Sequence, residues 1–110
     1  IAGLSGGKVQ ITDAGAALDL AMSARYETGA SRLAIDKRLV CSDFFILSTG
    51  VAGDILQKLM NYRFKAAIYG DYSHYTSKPL RDFIRESNHG KDFFFVSTME
   101  EAVQRLTDAE

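Results

Sequence analysis

The chain has 110 residues, 46% hydrophobic and 25% charged, a balance that excludes disordered, collagenous and low-complexity classes and suits one globular domain over residues 1–110. Thirteen basic and fourteen acidic side chains leave a net charge of −1, so a mainly electrostatic binder of nucleic acid or membrane surface is disfavoured. No apolar run approaches the ~20 residues needed to cross a bilayer. Cys41 is the lone cysteine, which leaves no disulfide framework and no thiolate cluster for zinc. With no signal-peptide pattern, the expected location is cytoplasmic.

In chain order, Ile1 to Leu4 reads as the end of a strand, incomplete if residues before Ile1 are missing. Ser5-Gly6-Gly7 then reads as a hairpin turn into a second strand, Lys8 to Ile11. Thr12 or Asp13 caps a helix from Ala14 to about Tyr26. Its apolar positions Ala17, Leu18, Ala21 and Met22 fall at helical spacing, and Gly29 stops it. Leu33-Ala34-Ile35 is a strand ending at Asp36, and Lys37 to Asp43 is a connection. Phe44 to Leu47 fits either a strand or a packed turn. Ser48 or Thr49 starts a second helix to about Tyr62, with Ala52, Ile55, Leu56, Leu59 and Met60 as its buried stripe. Gly53 within it costs about 1 kcal/mol against alanine, which suggests a close backbone approach.

Phe64 to Tyr69 is the next strand, closed by Gly70-Asp71 and followed by the polar loop Tyr72 to Thr76. Ser77 caps a third helix with Pro79 in its first turn, ending at Asn88-His89-Gly90. Asp92 to Val96 is a buried strand, so its Phe93-Phe94-Phe95 run is core before it is a stacking platform. Thr98-x-x-Glu101 is a capping box opening the last helix. The pattern predicts an α/β domain with a mixed central sheet of about four to five strands and four helices.

Motifs with chemical content are few. Gly3 to Lys8 imitates a phosphate loop, but three residues separate Gly3 from Gly7 where four are needed, and Val9 stands in place of the Ser/Thr. In parallel sheets ligands sit beyond the carboxyl ends of the strands. That puts Asp36, Ser48-Thr49-Gly50, Asp71, Tyr72 to Thr76 and Ser97-Thr98 on one rim. There Asp36, Asp71 and Tyr75 can hold polar groups of a ligand and His74 can move a proton. Cys41 with His74 and Asp43 makes a nucleophile set only if the fold unites them; otherwise Cys41 is a small buried apolar residue. Arg63, Lys65, Lys78, Arg81 and Arg85 form a mild basic cluster that reads as a solvated helix face. No metal ligand set and no cofactor motif is expected.

Asp13 at the first helix, Leu33 to Asp36, Leu47-Ser48-Thr49-Gly50-Val51 and Ser97 to Ala102 give an element order that resembles the STAS (sulfate transporter and anti-sigma factor antagonist) fold. More closely, Ala24 to Gly29, Ser48 to Lys58 and Tyr75 to Ile84 resemble the domain of unknown function 4180 family, small bacterial proteins with no assigned activity. The STAS likeness implies a non-enzymatic regulatory module that docks on a protein partner, such as a kinase or another regulator. It places a switching phosphate at the position of Ser48, with Thr49 beside it, although Leu47 stands where an acidic residue is usual.

The expected function is therefore a cytoplasmic, STAS-like interaction module. Ser48, Thr49 and Gly50 form its docking turn, flanked by Phe44, Phe45 and Val51. The alternative is a small-ligand binder or enzyme using the rim of Asp36, Asp71, His74 and Tyr75. A structural subunit with an apolar homodimer interface is a third reading.

Overall fold

The computed structural model describes residues 1–109. Strands and helices alternate: β1 (Ala2–Leu4), α1 (Ala14–Thr28), β2 (Arg32–Asp36), α2 (Val51–Asn61), β3 (Lys65–Tyr69), α3 (Lys78–Asn88), β4 (Phe93–Val96) and α4 (Met99–Asp108). The sheet has the sequential order β1-β2-β3-β4, and every neighbouring pair is parallel. The α/β class and the four helices agree with the sequence reading; the mixed sheet does not.

The missing element is the opening hairpin. Of residues Lys8 to Ile11 only Ile11 is buried, so the segment has no apolar face to hold a strand against the core. Instead the backbone N–H groups of Gln10 and Ile11 both donate to Leu39 O, at 2.9 and 2.8 Å, and Cys41 N–H donates to Ile11 O at 3.0 Å. Ile11 thereby makes one isolated parallel bridge to Val40. The stretch from Phe44 to Leu47 is likewise not a strand, because short 3₁₀ turns run over Ser42–Phe45 and Leu47–Thr49. Gly50, at φ 77°, ends the second turn in the left-handed region, so α2 starts at Val51 rather than at Ser48 or Thr49.

The other helix ends follow their caps. Asp13 Oδ1 accepts from Ala16 N–H at 2.7 Å and Thr98 Oγ1 from Glu101 N–H at 3.2 Å, while Gly29 closes α1 at φ 75°. Each cap satisfies a backbone group that the helix itself cannot.

Alternation along the strands divides the core in two. Ala2, Leu33, Ile35, Ala66, Ile68, Phe93 and Phe95 face one side, where they meet α1, α2 and α3 through Ala17, Ala21, Ala52, Ile55, Leu59 and Leu80. Ala34, Ala67, Phe94 and Val96 face the other, where α4 lays Ala102 and Leu106 on them. The register aligns Gly3, Ala34, Ala67 and Phe94 as one row across that second face. Small side chains there let α4 approach closely; a Cβ on Gly3 would already stand 3.3 Å from Met99 Cε. Arg32, at the start of β2, donates to Leu106 O and Ala109 O and so caps the carboxyl end of α4.

Two glycines behave oppositely. Gly53 is exposed, and a Cβ there would meet nothing within 4 Å, so the close approach expected from the sequence is absent. Gly70 closes β3 directly under Lys37, and a Cβ there would stand 2.7 Å from Lys37 Cβ. Gly53→Ala should therefore raise stability by about 1 kcal/mol, whereas Gly70→Ala should lower it by roughly 1–3 kcal/mol through overpacking. Urea-unfolding midpoints of the two variants read both signs directly.

Candidate functional site at the carboxyl rim

The connections leaving β2 and β3 meet above the carboxyl edge of the sheet. From the first come Asp36, a 3₁₀ turn over Lys37–Leu39 and the two later 3₁₀ turns; from the second come Gly70 to Thr76. Aromatic packing joins them. Phe45 lies 5.2 Å from Tyr75 in a stacked arrangement and 5.9 Å from Tyr72, and Tyr72 and Tyr75 are 6.2 Å apart. Lys37 Nζ caps this triad at 4.7 Å from the Tyr75 centroid, 5.2 Å from Phe45 and 5.6 Å from Tyr72. A cation over three ring faces adds an electrostatic tie to the apolar packing. Tyr72 Oη donates to Ile68 O at 2.6 Å, which fixes its ring, and burial pushes its phenol well above the usual range.

Asp36 is the buried acid of the site, 6% exposed. Its carboxylate accepts from Arg38 N–H at 2.9 Å, from Arg38 Nε and from Arg38 Nη2 at 2.7 Å. The guanidinium hydrogen bonds hold its pKa below the ordinary carboxylate value against the opposing effect of burial. Asp71 is exposed, and its carboxyl pKa is also lowered, first by the Ser73 hydroxyl and then by Ser73 N–H, at 2.6 and 2.8 Å. Burial and the neighbouring Asp36 charge push the Tyr69 phenol upward.

Asp36, Asp71 and His74, expected together from the sequence, do line one shallow hollow of about 360 Å³, with Arg38 and Tyr69. Tyr75 lies beside it, its ring against His74 at 4.1 Å. A second recess of about 410 Å³, lined by Gly70, Asp71, Ser73 and Ser97, adjoins it. It sits where the chain leaves β3 for α3 on one face and β4 for α4 on the other, the divergence at which α/β sheets form ligand crevices. Cys41 goes elsewhere: half-buried, its Sγ donates to Thr12 O.

In the docking turn Ser48, Thr49 and Gly50 are exposed. Thr49 Oγ1 stands 2.8 Å from both Asp43 O and Ile46 O and accepts from Val51 N–H at 3.3 Å, so that hydroxyl is committed to the loop. The flank expected from Phe44 and Phe45 is not offered to a partner, because both are buried in the core. Ile46, at 51% exposure, is the apolar side chain presented there instead.

A family model for a domain of unknown function, DUF4180, matches residues 1–106. The chain belongs to the DUF4180 family. No curated protein and no solved structure matches it. Membership in DUF4180 thus accounts for the resemblance carried by Ala24 to Gly29, Ser48 to Lys58 and Tyr75 to Ile84, and carries no assigned activity with it.

Sequence reasoning passed over Lys37, Arg38 and Tyr69. The adjacency of Lys37 and Arg38 to an acid at a strand end was a usable signal, since such a residue can turn back on the carboxylate. The three-ring site for Lys37 had none, because Phe45 and the two tyrosines are about thirty residues apart in sequence.

Asp36→Asn should cost about 1–2 kcal/mol at neutral pH, the scale of lost hydrogen bonds to a charged group. A lowered folded-state pKa means that this stabilisation is present above the unfolded value of about 3.9 and fades as pH falls through the folded one. The gap between wild type and variant should therefore close below about pH 4, as followed by urea unfolding across pH.

Proposed function

We propose that this DUF4180 chain is a non-enzymatic interaction module that docks a protein partner across the carboxyl rim, using the Ser48-Thr49-Gly50 turn and Ile46. The observation that carries the reading is how the rim's polar groups are used. Asp36 is held by Arg38, Asp71 by Ser73, Tyr72 Oη by Ile68 O and the Thr49 hydroxyl by its own loop. Groups committed to fixing loops are poor acids, bases or nucleophiles, but they build a rigid platform. From that platform project an apolar side chain, Ile46, and a hydroxyl, Ser48.

The STAS-like succession of strand–helix units supports the same reading, although the opening hairpin that contributed to the likeness is absent. A phosphate on Ser48 would bring about two negative charges to the turn just ahead of α2 and change what it accepts. Thr49, with its hydroxyl engaged, is the poorer acceptor of that group. The recess at the β3/β4 divergence, next to the hollow of Asp36, Asp71 and His74, favours a second reading, a small polar ligand held on the same rim.

Native mass spectrometry of the protein isolated gently from its own cells separates the two. A defined protein partner bound by wild type, retained by Asp71→Asn and His74→Ala but lost from Ile46→Asp and Ser48→Glu, is the expected outcome. A stoichiometric small molecule, kept by Ile46→Asp and lost from Asp71→Asn, would replace docking with ligand binding.

A further inference from the structure

Next to the rim, and sharing Tyr72 and Ser73 with its recess, lies a larger groove. It is open, about 610 Å³, and is bounded by α3 and by Arg105 of α4, with Tyr75, Arg81, Ile84, Arg85 and His89 also in its lining. No carboxylate lines it among the described residues. Asp82, which is not among the lining residues, pairs with Lys78 at 2.7 Å and with the groove's Arg85 at 2.9 Å, an exposed pair that an incoming carboxylate would have to exchange. Arg81 and Arg85 are exposed on α3. On the opposite wall Arg105 lies over the Phe94 ring at 4.4 Å and donates to Asn88 O, which pre-positions its guanidinium. Asp82 and Glu86 share α3 with these cations, so the excess of positive charge belongs to the groove lining and not to the helix as a whole.

We propose that this groove binds an acidic, extended segment of a partner protein, with carboxylates at alternate positions meeting Arg81, Arg85 and His89. The spacing carries the class of ligand. Residues four apart on a helix rise by about 6 Å, and side chains two apart on an extended chain are separated by about 6.7 Å. Three alternating acids would then span about 13 Å against the roughly 12 Å from Arg81 to His89.

Two further observations narrow the occupant. The outward-facing backbone of Phe95 is already closed by the Asn88 amide, which accepts from Phe95 N–H at 2.7 Å and donates to Phe95 O at 3.0 Å. Side-chain charge rather than strand addition would therefore hold the segment. A single-stranded nucleic acid binds on free ring faces as well as cations. Here Tyr75 is flanked by Phe45 and His74, and Tyr72 and Phe95 meet at right angles with centroids 6.0 Å apart. The inference is independent of the docking turn, since Ile46 and Ser48 do not line the groove.

Fluorescence anisotropy with a labelled Gly-Glu-Ser-Glu-Ser-Glu-Gly peptide tests it, with the Gln-for-Glu peptide as control and inorganic pyrophosphate as competitor. The expected result is salt-sensitive binding of the acidic peptide only, weakened at least about ten-fold in Arg81→Glu/Arg85→Glu. Lys8→Glu/Lys58→Glu, which makes the same charge change away from the groove, should retain it, with circular dichroism showing both variants folded. Equal weakening in the two double variants would reduce the effect to net charge and overturn the proposal. So would failure of the acidic peptide to bind at low salt, and saturable pyrophosphate binding in that case would reassign the groove to a small anion.

Discussion

Four parallel strands laid side by side in the order of the chain constrain everything else in this protein. Each crossover steps in the same direction, and crossovers of one hand stepping one way must all lie on one face. α1, α2 and α3 accordingly share a face, and the opposite face is covered by α4, which follows β4. A single helix must cover three strands there. It can do so because Gly3, Ala34 and Ala67 form a low floor rising to Phe94, so that Ala102 and Leu106 reach the sheet. Arg32 then fixes the far end of α4 by capping its last carbonyls. Enlarging the floor would push α4 off the face it alone protects.

The same order makes the rim. Loops after β2 and β3 leave adjacent strands toward the same face, so they run over one another, and the Phe45, Tyr72, Tyr75 and Lys37 assembly is the contact they make. β4 sends its chain the other way, so the recess between Gly70 and Ser97 opens at that point and not between β2 and β3. Loop polarity is consumed locally, by Ser73 at Asp71 and by the loop carbonyls at Thr49, even where the groups are exposed. Asp36 illustrates the result: a buried carboxylate at a strand end whose partner is two residues away, held ionised by that partner.

The strand–helix alternation, three side-chain caps and all four helices were legible in the sequence, because periodicity and capping chemistry act within a few residues. Ser77 and Thr98 were legible as caps, and Asp13 as one of two candidates with Thr12, since a cap needs only its own first turn. The hairpin was misread because Ser5-Gly6-Gly7 carries the local turn signal, while the deciding fact, that Lys8 to Gln10 face solvent and only Gln10 and Ile11 bond to Leu39 O, is long-range. Gly50 was missed as the helix start for a related reason. Ser48 and Thr49 are good caps by residue type, yet the Thr49 hydroxyl is drawn back to Asp43 O and Ile46 O. At the site, the meeting of Asp36, Asp71 and His74 followed from the parallel-sheet rule alone. The buried state of Phe44 and Phe45 did not, since an apolar pair in a loop fits core and interface equally.

The edges of the sheet are β1 and β4, and the second bears on how the molecule can meet others. β4 is apolar throughout, the kind of edge that invites pairing, and Asn88 occupies its outward backbone at Phe95 with both amide groups. Arg105 in turn binds the backbone of Asn88 while stacked on Phe94, so the device that seals the edge also fixes one wall of the basic groove. With Phe95 closed to strand addition, the recognition proposed for the groove is by charge and side-chain spacing. The docking proposed for the rim relies on shape and one apolar contact instead. A partner engaging either surface would leave the sheet order undisturbed, because both are built from side chains and loops outside the hydrogen-bonded ladder.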